Sequence, residues 1–255
     1  MFQKIKKYQF LFEELVKRDF KQKYKRTVLG MAWSVLSPLL QLLIMRIVFS
    51  QFFGREIAHY TTYLFCGNLI FSYFKESTMG GMNSLLMNAD IFSKVNIPKY
   101  MFLLSKNVSS LINFGCTLLV FFLFCLIDGI RFHFGMLTLI YPLICLILFN
   151  VGIGLILSAL YVFFRDISYL YDVFTMLLTY VSAIFYTVDT YPMIIQNLFL
   201  LNPVYVFIKY WRIVIIDAAI PSFGIHFLCG FYALLAVCAG AYIYRKYNHK
   251  FLYYV

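Results

Sequence analysis

Apolar runs long enough to cross a bilayer, broken by short polar punctuation, set the pattern of this 255-residue chain. The opening is different. Over Met1–Arg26, Phe10, Phe12, Leu15, Val16, Phe20 and Tyr24 recur near helical spacing, while lysines and arginines fill the positions between. That periodicity predicts an amphipathic helix in the headgroup layer with its basic side against anionic lipid; a solvated basic tail would carry the same residues. Apolar sequence then runs from Met31 to Phe53, with Pro38 in its first turns and Arg46 in its middle. Further spans are predicted at Thr61–Thr78, Leu103–Ile127, Met136–Phe164, Tyr169–Tyr186 and Phe223–Tyr244, six in all.

Two stretches break the pattern. Met82–Lys106 is too polar to span: Asn88, Asp90, Ser93 and Asn96 alternate with Leu86, Ile91, Phe92, Val95 and Ile97, and Pro98 closes the segment. A short surface helix ending in a rigid turn is expected there. Thr187–Ile216 holds two apolar pieces, Met193–Leu201 and Val204–Ile216, each too short to cross alone and joined at Asn202-Pro203. Two short helices that dip into the outer leaflet and return would fit, provided that protein shelters the non-helical backbone between them. Small residues near four-residue spacing, Gly152, Gly154 and Ser158 in the fourth span and Ala236 and Gly240 in the last, mark close helix packing.

Composition agrees with an all-α polytopic membrane protein of one domain, with residues 1–30 as the interface helix and 31–255 as the six-span region. Hydrophobic residues make up 62% and charged residues 13%, and mean hydropathy is +0.80, too apolar for a soluble globule. Unbroken runs exclude a β-barrel, which needs alternation.

The formal net charge is +11, and its placement decides its meaning. With the N-terminus inside, segments on that side hold sixteen basic residues and those on the other side four. This asymmetry puts both termini in the cytoplasm and makes nucleic acid an unneeded partner. Six cysteines lie in apolar runs without a CxxC pair, so no disulfide framework or metal site is expected. No glycine is followed by lysine, which removes a P-loop; HExxH and GxSxG are also absent. Glu76, Asp166 and Asp172 all fall near predicted cytoplasmic ends, leaving no midplane carboxylate for a proton-coupled carrier.

Arg18-Asp19, Tyr24, Leu29-Gly30, Trp33 and Pro38, then Asn88, Lys94 and Pro98, Arg165-Asp166, and finally Tyr186, Pro192, Asn202-Pro203 and Arg212 occur in an order and spacing that resembles the ABC-2 type permeases of polysaccharide exporters. Those proteins export O-antigen and teichoic-acid polymers. The resemblance covers nearly the whole chain. It implies a homodimer of six-span subunits in the bacterial cytoplasmic (inner) membrane, paired with two copies of a separate ATPase that holds the ATP and Mg, so that this chain needs no cofactor and is no enzyme. It makes the segment after the second span a coupling helix and the paired short helices re-entrant elements. Asn88, Asp90, Lys94, Pro98, Arg165 and Asp166 become candidates for ATPase coupling.

A sugar polymer needs a conduit, and aromatic faces suit sugar rings; 20% of the chain is aromatic. Tyr60, Tyr63, Tyr73, Tyr180 and Tyr186 are the lining candidates, against an ordinary packing or interfacial role. Arg46 either faces a polar space or partner helix or snorkels to an interface, and it lies where the resemblance leads one to expect an apolar or neutral residue. Asp189 and Asp217 match no family pattern. Lys17, Arg18, Lys21, Lys23, Lys25 and Arg26 are candidates for anionic headgroups or for a lipid diphosphate carrying the polymer. The expected substrate is a lipid-linked polysaccharide; an ABC-2 exporter of small molecules or lipids, or an integral-membrane enzyme acting on lipid-linked sugars, are the alternatives.

Overall fold

A computed structural model describes residues 2–25, 27–53, 57, 59–94, 97–251 and 254. Among these there is no strand; the elements are α1 (Phe2–Tyr24), α2 (Trp33–Phe53), α3 (Tyr60–Asn83), α4 (Ala89–Lys94), α5 (Tyr100–Ile127), α6 (Ile140–Phe163), α7 (Ile167–Val181), α8 (Met193–Phe199), α9 (Pro203–Ile215) and α10 (Phe223–Tyr247), with 3-10 turns at Gly30–Ala32, Leu86–Asn88 and Phe134–Leu139.

Four helical segments are long and apolar enough to cross a bilayer: Gly30–Phe49, Tyr100–Ile127, Phe134–Phe163 and Phe223–Tyr247. The α8–α9 pair passes the same test only if taken together, and its axes turn by 107° at the break, as a broken span or a re-entrant loop would. Two expected spans fall short for different reasons. With 24 residues, α3 is long enough but more polar, because Asn68, Ser77 and Thr78 are buried against protein instead of facing lipid. The fifth stops at Val181, leaving only 15 residues. Ser182–Tyr186, expected inside that span, leaves the helix, and Ala183 has φ 50°.

Close backbone approach organises the bundle. A Cβ built on Gly152 would strike the backbone of Ala236 and Val237, and one on Gly240 would strike Gly152. The small residues of α6 and α10 therefore let those helices touch, as their spacing predicted. Gly81 and Gly154 do the same for α3 and α6, with only 3.0 Å between such a Cβ and the Gly154 Cα.

The Asn202-Pro203 turn has a full local explanation. Asn202 Oδ1 accepts from the amides of Val204 and Tyr205 at 3.0 and 3.4 Å, capping α9, and Pro203 fills the first helical position, where a missing N–H costs nothing. The Asn202 amide also donates to Ser182 Oγ at 3.0 Å, tying the cap to the end of α7.

One apolar cluster fills the body of the bundle, with Phe65, Phe121, Phe149, Phe207 and Trp211 among its members. A second sits at one end, where Leu15 of α1, Leu85, Phe92 and Ile97 around α4, Phe102 of α5, Val162 of α6 and Tyr244 of α10 converge. The basic N-terminal helix, α4 and the α6–α7 turn thus share one end of the molecule.

Candidate functional site

At that end α1 is docked by a buried carboxylate. Asp19 is 5% exposed. Its oxygens receive Arg18 at 2.8 Å, Lys106 at 3.1 Å and the Ser105 hydroxyl at 3.0 Å. Arg18 also donates to Asn88 Oδ1 at 2.7 Å, and the Asn88 amide donates to the Ser84 carbonyl. Asn88 is therefore buried as a clamp between α1 and the turn before α4, away from any outer face. The sequence pattern includes Asp19 but assigns it no role, although a lone acid inside a run of six bases is the signal that could have given it one.

Five of the six basic candidates separate into three groups. Lys17 is solvent-facing and pairs with Glu14 at 2.9 Å, an ion pair that raises its pKa. Lys23 pairs with Glu76 of α3 at 2.9 Å. Arg18, Lys21 and Lys25 instead surround, with Gln22, Met87 and Lys106, a cavity of about 720 Å³ whose charged groups are all cationic. Arg26 lies outside the described residues.

The polar face of α4 is open. Asp90, Ser93 and Lys94 are exposed, whereas Phe92 is buried and packs on Phe102 with ring centroids 6.1 Å apart. Pro98 is half-buried and ends the segment. Lys99 lies over the Phe92 and Phe251 rings and donates to the Asn248 carbonyl at 2.8 Å; burial lowers its pKa. Arg165 and Asp166 are exposed at the α6–α7 turn, and Arg165 reaches the Tyr254 carbonyl at 3.4 Å. An apolar anchor beneath an exposed polar face can pass a push on α4 into α1, α5, α6 and α10.

Deeper in the bundle, α2, α3 and α5 enclose a cleft of about 430 Å³, most of whose lining residues carry a hydroxyl or side-chain amide among apolar surface. Tyr73 is one of its walls. The Lys23–Glu76 pair also lines it, and Asn113 donates to the same Glu76 oxygen at 2.9 Å.

The other tyrosine candidates gather at the opposite end. Tyr60 and Tyr63 are buried and donate to the carbonyls of Phe185 and Tyr186 at 3.0 and 2.8 Å, binding α3 to the turn after α7. Tyr186 donates to the Tyr180 carbonyl, and Tyr180 itself is 55% exposed. Arg46 is exposed on α2 among Leu43, Ile44 and Ile47, which are exposed too.

Arg212 is the hub that sequence reasoning noted without giving it a role. It is 7% exposed and lies 3.4 Å above the Tyr63 ring. Its nitrogens donate to the carbonyls of Ala183, Ile184 and Tyr63 at 2.8, 3.0 and 3.3 Å. The helix end at Val181 frees the carbonyls of Ala183 and Ile184, and a fixed fork of donors is what such a turn requires. Beside it, a cavity of about 390 Å³ holds Asp189, Lys209 and Asp217. Burial first, and the Asp189 charge second, raise the pKa of Asp217 in the loop after α9.

A profile described as ABC-2 type transporter matches residues 11–216. Two proteins of Klebsiella pneumoniae named O-antigen export system permease protein RfbA are each 29% identical to this chain, over 249 and 247 residues and 95% of both sequences. A protein of the same name from Myxococcus xanthus is 26% identical over 187 residues, 72% of this chain and 70% of its own length.

Proposed function

Because the chain belongs to the ABC-2 type transporter family, we propose that it is the permease subunit of an exporter that moves a lipid-linked polysaccharide across the bacterial cytoplasmic membrane, driven by a separate ATPase. Two copies of the chain and two of the ATPase make the working unit. In this reading each chain crosses six times, by α2, α3, α5, α6, α7 and α10, with α8–α9 re-entrant and both termini cytoplasmic. The names of its relatives support the polymer class, and the excess of basic residues at one end supports the orientation.

The observation that carries the proposal is the mounting of α4. Its exposed Asp90, Ser93 and Lys94 form the contact for the ATPase, with Arg165 and Asp166 as a second one, and its buried side transmits the stroke. The cationic cavity of Arg18, Lys21, Lys25 and Lys106 receives the diphosphate of the lipid carrier, since two charge-assisted contacts there cost no new burial of cations.

The test is co-expression with an ABC ATPase from the same organism. The two proteins should co-purify, and Asp90→Lys with Lys94→Glu should abolish permease-dependent ATP hydrolysis while the chain stays folded. Lys21→Gln with Lys25→Gln should lower export and leave that complex intact. A stable chain that transports with no ATPase bound would overturn the reading.

A further inference from the structure

The α2–α3–α5 cleft has a composition that headgroup anchoring does not explain. Ser34 and Gln41 of α2, Asn68 of α3, and Ser110, Asn113 and Thr117 of α5 turn toward one space. Polar side chains on spanning helices are expensive where lipid faces them and are kept where they meet each other, water or a ligand. Here three separate helices send theirs to one cleft.

Charge narrows the ligand. The cationic and anionic side chains of the lining are Lys23 and Glu76, and they already pair with each other. A phosphate or an ammonium group would find no uncompensated opposite charge. Amides and hydroxyls offer donors and acceptors together, which suits a neutral polyol. One wall is aromatic: the Tyr73 and Phe114 rings lie tilted against each other with centroids 4.7 Å apart, and Trp33 stands at the rim on α2. Aromatic faces take the C–H side of a sugar ring while hydrogen-bonding groups take its hydroxyls. A volume of about 430 Å³ falls among small-ligand sites.

We infer that this cleft is a binding site for the uncharged sugar headgroup of a lipid-borne glycan. It is distinct from the cationic cavity of Arg18, Lys21 and Lys25, which shares none of its lining residues. The inference rests on the polysaccharide reading for one of two sources of that chemistry, the exported glycan; the other is a glycolipid of the membrane.

Trp33 is a built-in reporter. The chain has two tryptophans, and the second, Trp211, is buried with no hydrogen-bond partner for its indole nitrogen, so Trp211→Phe sacrifices no bond. The Trp211→Phe permease, in complex with its ATPase in phosphatidylcholine nanodiscs, is titrated with a polyprenyl-diphosphate disaccharide, with diglucosyl diacylglycerol and with phosphatidylglycerol. A saturable change in Trp33 emission with a sugar lipid and none with phosphatidylglycerol is expected. Gln41→Leu, on an exposed position of α2, and Ser110→Ala should each weaken that binding by about tenfold, the worth of one or two hydrogen bonds. A response to the polyprenyl lipid identifies the exported glycan as occupant; a response to the diglucosyl lipid alone upholds the site while removing its link to export. No response to either sugar lipid, an equal response to phosphatidylglycerol, or unchanged affinity in both variants would overturn the site, and co-purification with the ATPase would stand or fall separately.

Discussion

Asp19→Asn should detach α1 from the bundle without unfolding it. The substitution keeps the shape and removes the charge that Lys106 and Arg18 face at 3.1 and 2.8 Å. With an effective dielectric of about 20, attraction over the Lys106 distance is about 5 kcal/mol before desolvation is subtracted. The Arg18 contribution is smaller than its distance suggests, because that side chain is 40% exposed and screened. Lys106, at 15% exposure, is only partly solvated in its place. Removing one partner of such a pair costs about 3 kcal/mol, mostly from the cation left behind. That corresponds to a roughly hundredfold rise in local opening of α1. Hydrogen exchange by mass spectrometry reads it directly: amides of α1 should lose about hundredfold protection, while those of α6 and α10, joined through Gly152 and Gly240, should not change. Adding Lys106→Met should return at least half of the loss, since the orphaned charge is gone. Protection within threefold of the parent in Asp19→Asn, or no recovery in the double variant, would refute the clamp.

Three further outcomes follow from the same geometry. Gly152→Val should lower stability by about 3 kcal/mol, because its side chain meets the backbone of α10, whereas Gly115→Ala, with open space around it, should be neutral or slightly stabilising; thermal midpoints from fluorescence-detected size exclusion compare the two. Arg212→Leu should expose the amides of 183–186 to exchange, and Arg212→Lys should restore only part of the protection, because one ammonium nitrogen cannot reach carbonyls that two separate guanidinium nitrogens serve; full protection in the leucine variant would remove Arg212 as the hub. Asp217 holds its proton more tightly when folded than at the usual 3.8, so its contribution is fully present below that value and is lost as pH rises through the folded pKa. The stability advantage of Asp217→Asn over the parent should therefore grow from acidic to neutral pH, and a flat difference would contradict the raised pKa of that carboxyl.

How much of this was legible in the sequence depended on the range of the interaction. Asn202-Pro203 could be read as a helix start from two neighbouring residues, and the capped start of α9 is there. The small-residue positions of α6 and α10 were readable for a related reason: glycine and alanine at four-residue spacing state that something approaches, though not what. Tyr73 walls the central cleft and Tyr63 the cavity beside Arg212, while Tyr60 and Tyr63, identical in type and only slightly earlier in the chain, give their hydroxyls to the turn after α7. Nothing local separates them.

Hydrophobic periodicity alone determined that the chain is helical and builds membrane-crossing segments, because a bilayer offers no other partner for backbone amides over such lengths. Charge asymmetry supplied an expected direction. Tertiary structure alone decided what each charged or polar residue does. Asp19, Glu76 and Arg212 are held by partners far away in sequence, on α5, α1 and α3 respectively, and an electrostatic pair has no sequence period. The basic run divided for the same reason. Once α1 had docked, geometry placed Lys17 toward water, Lys23 over the polar cleft, and Arg18, Lys21 and Lys25 around one shared cavity.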